Sequence, residues 1–178
     1  GVGVKTILDG VRTQKPFQNI QEIVAGANST CFIAKDTREV FCFGEKFGNE
    51  KKNTWVPEAI ELAGSIGNLS QVKTIGVGRA FGCALGKSSQ VYCWGSNEFG
   101  QLGALITGNG VTKATQVQVT YPQQTALNKV DALSVGDKHA CALHRDEKTV
   151  YCWGDNRLGQ LGNTSVRGLP EQVALGSN

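Results

Sequence analysis

Apolar and polar residues alternate along this chain in short runs, and the runs recur. Ile20-Gln21-Glu22-Ile23-Val24-Ala25, Val72-Lys73-Thr74-Ile75-Gly76-Val77 and Val130-Asp131-Ala132-Leu133-Ser134-Val135 each stop at a glycine. Short, β-branched segments bounded by glycine predict strands. A second strand is predicted over Thr30 to Ala34, Gly82 to Leu85 and Ala140 to Leu143, followed each time by a polar turn. A third carries aromatics: Val40-Phe41-Cys42-Phe43, Val91-Tyr92-Cys93-Trp94 and Val150-Tyr151-Cys152-Trp153. A fourth is predicted over Val56 to Leu62, Thr115 to Val119 and Leu169 to Leu175. Pro57 and Pro170 lie just inside it, which suits an edge strand, where no ladder donor is missed. No window has a helical period. Four short antiparallel strands per unit predict an all-β chain of β-propeller blades.

The period carries more than any single motif. Cys31, Cys83 and Cys141 recur at intervals of 52 and 58 residues. Self-similarity on that scale signals a solenoid or propeller. The units divide the chain into approximate blades at 9–62, 63–119 and 120–175. Val4-Lys5-Thr6-Ile7-Leu8 resembles Ala59 to Leu62 and Val173 to Leu175, so residues 1–8 are expected to be a strand of a preceding blade. Propellers typically close with about four to eight blades. Three repeats are therefore expected to form an arc, with further blades supplied by a longer parent chain or by associated chains. The longer second interval comes from Ala104 to Lys113, read as an insertion at a blade corner.

Composition adds a few bounds. Glycine stands at 23 of 178 residues, and most glycines fall at fixed places in the repeat. Net charge is +3, and the densest basic spot, Lys51-Lys52, reads as a solvated loop, so no nucleic-acid partner is expected. No stretch approaches the roughly 18 apolar residues that span a bilayer. The chain starts Gly1-Val2-Gly3-Val4 and is read as a mature or excised segment.

The six cysteines form one pair per unit: Cys31 with Cys42, Cys83 with Cys93, Cys141 with Cys152. Each pair flanks a tight turn at equal distances, and opposed hairpin residues lie close enough for a disulfide. Closing so short a loop is worth roughly 2.5–3 kcal/mol in the chain-entropy model. Two other readings stay open. The thiols could be small buried residues in a reducing compartment. They could also ligate zinc, although the chain has no Cys-x-x-Cys and thiols within a unit are ten or eleven residues apart. Even number and repetition in every unit favour the disulfides, and with them an extracellular, cell-surface or periplasmic location. Asn28-Ser29-Thr30, Asn68-Leu69-Ser70 and Asn163-Thr164-Ser165 are candidate glycosylation acceptors.

Catalytic chemistry finds little support. His139 occupies a repeat position held by Ser29 and Phe81 elsewhere, so a structural role is expected. His144, beside Arg145 in a turn, is expected to be solvated. Asp36, Asp146 and Asp155 sit in or after turns, where aspartate makes local hydrogen bonds. No nucleophile elbow, phosphate loop or zinc-protease pattern occurs. No enzyme, cofactor or metal is expected.

Gly136-Asp137-Lys138-His139-Ala140-Cys141-Ala142-Leu143 followed by Val150-Tyr151-Cys152-Trp153-Gly154-Asp155-Asn156-Arg157-Leu158-Gly159-Gln160-Leu161-Gly162 resembles the repeat of the regulator of chromosome condensation family. Gly78 to Gly103 matches it as well, and Gly26 to Asn49 is a worn copy that lacks the Gln-Leu-Gly ending. The resemblance implies a β-propeller, commonly of seven blades. Trp94 and Trp153 would pack between blades, and Gln101-Leu102-Gly103 and Gln160-Leu161-Gly162 would build corners. It implies binding of a protein partner on a propeller face but names none. The leading expectation is a non-catalytic extracellular or periplasmic protein-binding module. Its rigid blades would present loops such as Glu45 to Trp55, Ala104 to Lys113 and Asn163 to Gly168. The alternatives are a self-assembling or partner-assembled component of a surface fibre or coat, and an intracellular guanine-nucleotide exchange factor or chromatin binder.

Overall fold

The computed structural model describes residues 5–8, 11–14, 17–45, 53–104, 106, 110–119, 125–163 and 167–173. In chain order the strands are β1 (Lys5–Leu8), β2 (Val11–Gln14), β3 (Ile20–Ala25), β4 (Ser29–Ala34), β5 (Val40–Gly44), β6 (Thr54–Ala59), β7 (Val72–Val77) and β8 (Phe81–Gly86). Then come β9 (Val91–Ser96), β10 (Gly110–Gln116), β11 (Gln118–Val119), β12 (Thr125–Ala126), β13 (Val130–Val135), β14 (His139–His144), β15 (Val150–Asp155) and β16 (Arg167–Gln172). Three four-stranded antiparallel meanders result, ordered β3-β4-β5-β6, β7-β8-β9-β10 and β13-β14-β15-β16. These are propeller blades, and no helix occurs among the described residues.

The core lies between blades rather than within one. Side chains alternate across a strand, so each blade has two faces to cover. On β8, Phe81, Cys83 and Leu85 face the third blade, where they meet Val130, Ala140, Ala142 and Trp153. Ala84, on the opposite face, joins Trp94, Val72 and Ile75 against Cys31, Ile33, Val40 and Cys42 of the first blade. Both faces of the middle blade are thus covered, and every residue of β8 is buried. Burial on two sides explains why its sequence reads as a nearly continuous apolar run.

Backbone bonds also cross between blades. Val72 N–H donates to Arg38 O at 3.2 Å, and Val130 N–H donates to Ser89 O at 3.0 Å. Arg38 and Ser89 are left-handed, with φ of 58° and 65°, and Lys148 repeats the conformation at 53°. Asn19, Gln71 and Lys129 form a second left-handed set. Their carbonyls accept from Lys35, Lys87 and Arg145 at 2.7–2.8 Å. Non-glycine residues rarely adopt this region. Here the repeated hydrogen bonds hold it.

Several expectations shift. The outer strands begin earlier than the apolar pattern placed them, because each pairing with the third strand carries a bulge, as between Cys42 and Gly44. Gly110–Lys113, expected within a corner insertion, belong to β10. Gln118–Val119, expected in the outer strand, instead pair with Thr125–Ala126. Lys5–Leu8 pair with Val11–Gln14 in a similar two-stranded hairpin. His144 is not solvated: its side chain is 12% exposed. It packs edge-on to Tyr151, with ring centroids 6.0 Å apart, and its Nδ1 accepts from Glu147 N–H.

Candidate protein-binding surface

The frame is set by the cysteines. Cys31 lies directly opposite Cys42, Cys83 opposite Cys93 and Cys141 opposite Cys152. The structure joins each pair as a disulfide, with Cα atoms 4.1 Å apart in all three. Each bond ties the two middle strands of one blade, and no free cysteine exists among the described residues. No group of three or more His, Cys, Asp or Glu side chains among the described residues is placed to hold a metal ion.

The corners after the third strands are built twice in one form. Leu102 N–H donates to Asn97 Oδ1 at 3.1 Å, and Leu161 N–H donates to Asn156 Oδ1 at 2.8 Å. The Gln101 Oε1 accepts from Phe99 N–H, and the Gln160 Oε1 accepts from Leu158 N–H. These amide side chains replace backbone partners inside a turn, which is why Asn and Gln stand there. The indole Nε1–H of Trp153 reaches back to the preceding corner and donates to Gln101 O at 2.9 Å. Phe99 lies under the guanidinium of Arg157, 4.3 Å from its ring centroid, with Lys138 Nζ at 4.8 Å.

Charges follow the same blade-to-blade logic. Arg79 on the second blade pairs with Asp137 on the third at 3.1 Å. Arg157 pairs with Asp155, whose side chain is only 7% exposed. The hydrogen bonds from Arg157 hold the Asp155 carboxyl below its ordinary range, against the opposing effect of burial. Lys129 likewise lowers the Asp146 carboxyl, and Arg145 lowers that of Asp131. These pairs fix turns and blade contacts. His139, half-buried beside the Gly136 turn, has no acid or nucleophile partner among the described hydrogen bonds.

What faces outward is apolar at a few points. Trp55 is 75% exposed on β6, Ile66 is fully exposed, and Leu158 is 92% exposed at the third corner. A cavity of about 170 Å³ is lined by Phe43, Glu58, Ile60, Glu61 and Lys113, among others. Glu61 and Lys113 of this lining pair at 2.7 Å. Of the expected binding loops, the part at 46–52 lies outside the described residues, and Thr54-Trp55 belong to β6. Residues 105 and 107–109 and residues 164–166 also lie outside them, while Arg167-Gly168 open β16. Asn28 and Asn68 are exposed, with their amides donating to Glu45 and Glu39. Asn163 is half-buried and accepts from Asn156, and the rest of its sequon lies outside the described residues. Sequence reasoning placed Trp55 at the end of an expected binding loop, whereas the structure puts it on β6.

No helix of the described residues is long and apolar enough to cross a membrane. The family model of the regulator of chromosome condensation (RCC1) repeat matches residues 72–101 and 130–160, and a second model of that description matches 88–143. Together they span half of the chain. An RCC1 domain-containing protein of Dictyostelium discoideum is 31% identical over 127 residues, covering 64% of this chain and 24% of the relative. The E3 ubiquitin-protein ligase HERC2 of Homo sapiens is 35% identical over 112 residues, covering 62% of this chain and 2% of that protein. The ultraviolet-B receptor UVR8 of Arabidopsis thaliana is 29% identical over 120 residues, 67% of this chain and 25% of its own. The chain therefore spans a quarter or less of these relatives. Human WBSCR16 superposes with a TM-score of 0.68 at 18% identity, over 94% of this chain and 43% of its own. Prp20p of Saccharomyces cerevisiae, whose binding to Gsp1p and histones was studied with its structure, gives 0.66 at 17% identity, over 92% and 40%. With its repeated sheets, its inter-blade indoles and its matched motifs, the chain belongs to the regulator of chromosome condensation (RCC1) repeat family of β-propellers.

Proposed function

We propose that this chain is a non-catalytic protein-binding propeller module that works outside the reducing cytosol, in an extracellular, cell-surface or periplasmic setting. The observation that carries the reading is Trp55. It is 75% exposed on the outer strand of a sheet whose middle strands are covalently tied. Tryptophan is enriched among binding anchors, because it covers a large area at little entropic cost. The location rests on one disulfide in each of three blades, since such bonds persist in oxidising compartments. Within that reading, Asn28, Asn68 and Asn163 are glycan acceptors if the source is eukaryotic.

Affinity capture tests the proposal. The chain is immobilised and exposed to the secreted or periplasmic fraction of its source, beside Trp55→Ala. The expected result is a protein retained by the wild type and reduced at least tenfold on the variant, with both chains giving the same circular-dichroism spectrum. Equal retention on both, or none on either, overturns it.

A second reading is a partner-assembled component of a surface structure. Exposed apolar side chains on blade flanks favour it: Ile20 at 41% and Ile23 at 65% on the first blade, Val150 at 38% on the third. Their counterparts on the middle blade, Val72, Ile75 and Val91, are 0%, 6% and 0% exposed. Concentration-dependent assembly of the purified chain would support this reading over the first. The third alternative, an intracellular exchange factor or chromatin binder, draws on relatives such as Prp20p alone, and the disulfides weigh against it.

A further inference from the structure

We propose that the cavity lined jointly by the first and second blades is a pocket for one basic side chain, lysine or arginine, carried by a partner protein. The proposal rests on the reading of the chain as a protein-binding module, but not on Trp55, which is absent from the lining.

The frame of the pocket is backbone and disulfide. Ala114 N–H donates to Glu61 O at 2.8 Å, and Ala63 N–H donates to Ala114 O at 2.9 Å. These bonds join the end of the first blade to β10 of the second around a parallel bridge between Leu62 and Ala114. Cys42, which also lines the cavity, is buried and tied to Cys31. Its direct partner across the sheet is Glu58. The volume of about 170 Å³ is below the roughly 300–1,000 Å³ of sites for drug-sized ligands. It suits a single side chain.

The chemistry of the lining selects the ligand. Phe43 and Ile60 are joined there by three carboxylates, Glu45, Glu58 and Glu61, and by one cation, Lys113. Lys113 is taken up by Glu61 at 2.7 Å. Its hydrogen bond holds the Glu61 carboxyl below the ordinary range, so that group stays charged at neutral pH. Glu45 accepts from the neutral amide of Asn28 at 2.9 Å. Glu58 is exposed and has no hydrogen-bond or ion-pair partner among the described residues. Two of the three carboxylates therefore lack a cationic partner among the described residues. Lysine and arginine combine an apolar stem, which Phe43 and Ile60 can cover, with a charged head that carboxylates bind.

The acids are also a departure from the repeat. Glu58 and Thr115 stand opposite Cys42 and Cys93. The N–H groups of Glu45 and Ser96 donate to Asn28 O and Ala80 O, both at 2.8 Å. Glu61 and Gln118 follow Ile60 and Val117, whose N–H groups donate to Val40 O and Val91 O, both at 2.9 Å. The second blade thus builds the same positions with Ser96, Thr115 and Gln118, which are all neutral. A blade does not need acids there to fold, so the charge is free to serve a ligand.

The test uses the full chain labelled with 15N. It is titrated with the capped tripeptide Ala-Arg-Ala, its lysine form and its norleucine form, which keeps the stem and loses the charge. Saturable amide shifts are expected at Glu58, Glu61 and Lys113 with the arginine or lysine peptide and not with norleucine. Glu58→Gln should weaken binding about fivefold, the upper end for an exposed ion pair. Lys113→Met, which releases Glu61, should strengthen it by about the same factor. Asp36→Asn, in the turn at the opposite end of β5, should leave it unchanged. Equal binding of norleucine overturns the proposal, as does a loss on Asp36→Asn equal to that on Glu58→Gln. So does fivefold tighter binding once Lys51 and Lys52 are replaced by alanine, because the occupant would then be the chain's own segment. Affinity capture with Trp55→Ala reads the protein-binding reading separately, so a failed titration leaves that result standing.

Discussion

Trp153 joins two blades through one side chain. Its ring fills the space between β15 and the preceding corner, and its N–H satisfies a carbonyl there. Truncation to alanine should cost roughly 3–5 kcal/mol, the range for a buried aromatic. Denaturant titration checks this, and a loss under about 1 kcal/mol would mean that the indole is not a core residue. Asp155 gives a pH signature. Its folded carboxyl is held below the unfolded value of about 4 by Arg157. A depressed carboxylate stabilises the fold above the unfolded value and loses that contribution as pH falls through the folded one. Wild-type stability should therefore fall more steeply than that of Asp155→Asn below about pH 4, and parallel curves would contradict the pairing. At this scale the sequence was uneven. The Trp and Gln-Leu-Gly roles were legible through the family resemblance of the motif. The left-handed Arg38 and Ser89 were not, because no glycine or asparagine marks them and only the blade-to-blade bond explains them.

Among elements, the glycines before the second strands set how closely blades approach. A Cβ on Gly78 would lie 2.6 Å from Gly136 O and 2.8 Å from Asp137 O, backbone atoms of the next blade. On Gly136 the three nearest atoms would all belong to the side chain of His139. Overpacking against backbone costs about 1–3 kcal/mol. Gly78→Ala should lower stability by that amount and Gly136→Ala by less than half of it, measured by chemical unfolding of both. Equal losses would contradict the blade spacing. The disulfides should also differ in access. Cys31 and Cys83 are 0% exposed, whereas Cys141 is half-buried. Under limiting reductant, Cys141–Cys152 is expected to open first, followed by timed alkylation and mass analysis. Opening of Cys83–Cys93 before it would show that the middle blade is less covered than the structure places it. The meander was legible because alternation and turns recur three times. The ends of the outer strands were not, because bulges move the register without changing the apolar pattern.

For the whole molecule, repetition made the architecture readable, and departure from repetition hid the surface. Exposed apolar side chains obey no period, so Trp55, Ile66 and Leu158 stand out only once the blades are assembled and the covered faces are known. The cysteine pairing links architecture to the proposed function, since it locks each blade and is the observation on which the proposed oxidising compartment rests. Mass mapping of the protein from its native source, alkylated at once and digested without reductant, tests that claim most directly. Three linked fragments are expected, Cys31–Cys42, Cys83–Cys93 and Cys141–Cys152. Six alkylated thiols would contradict it and return the chain to a reducing compartment.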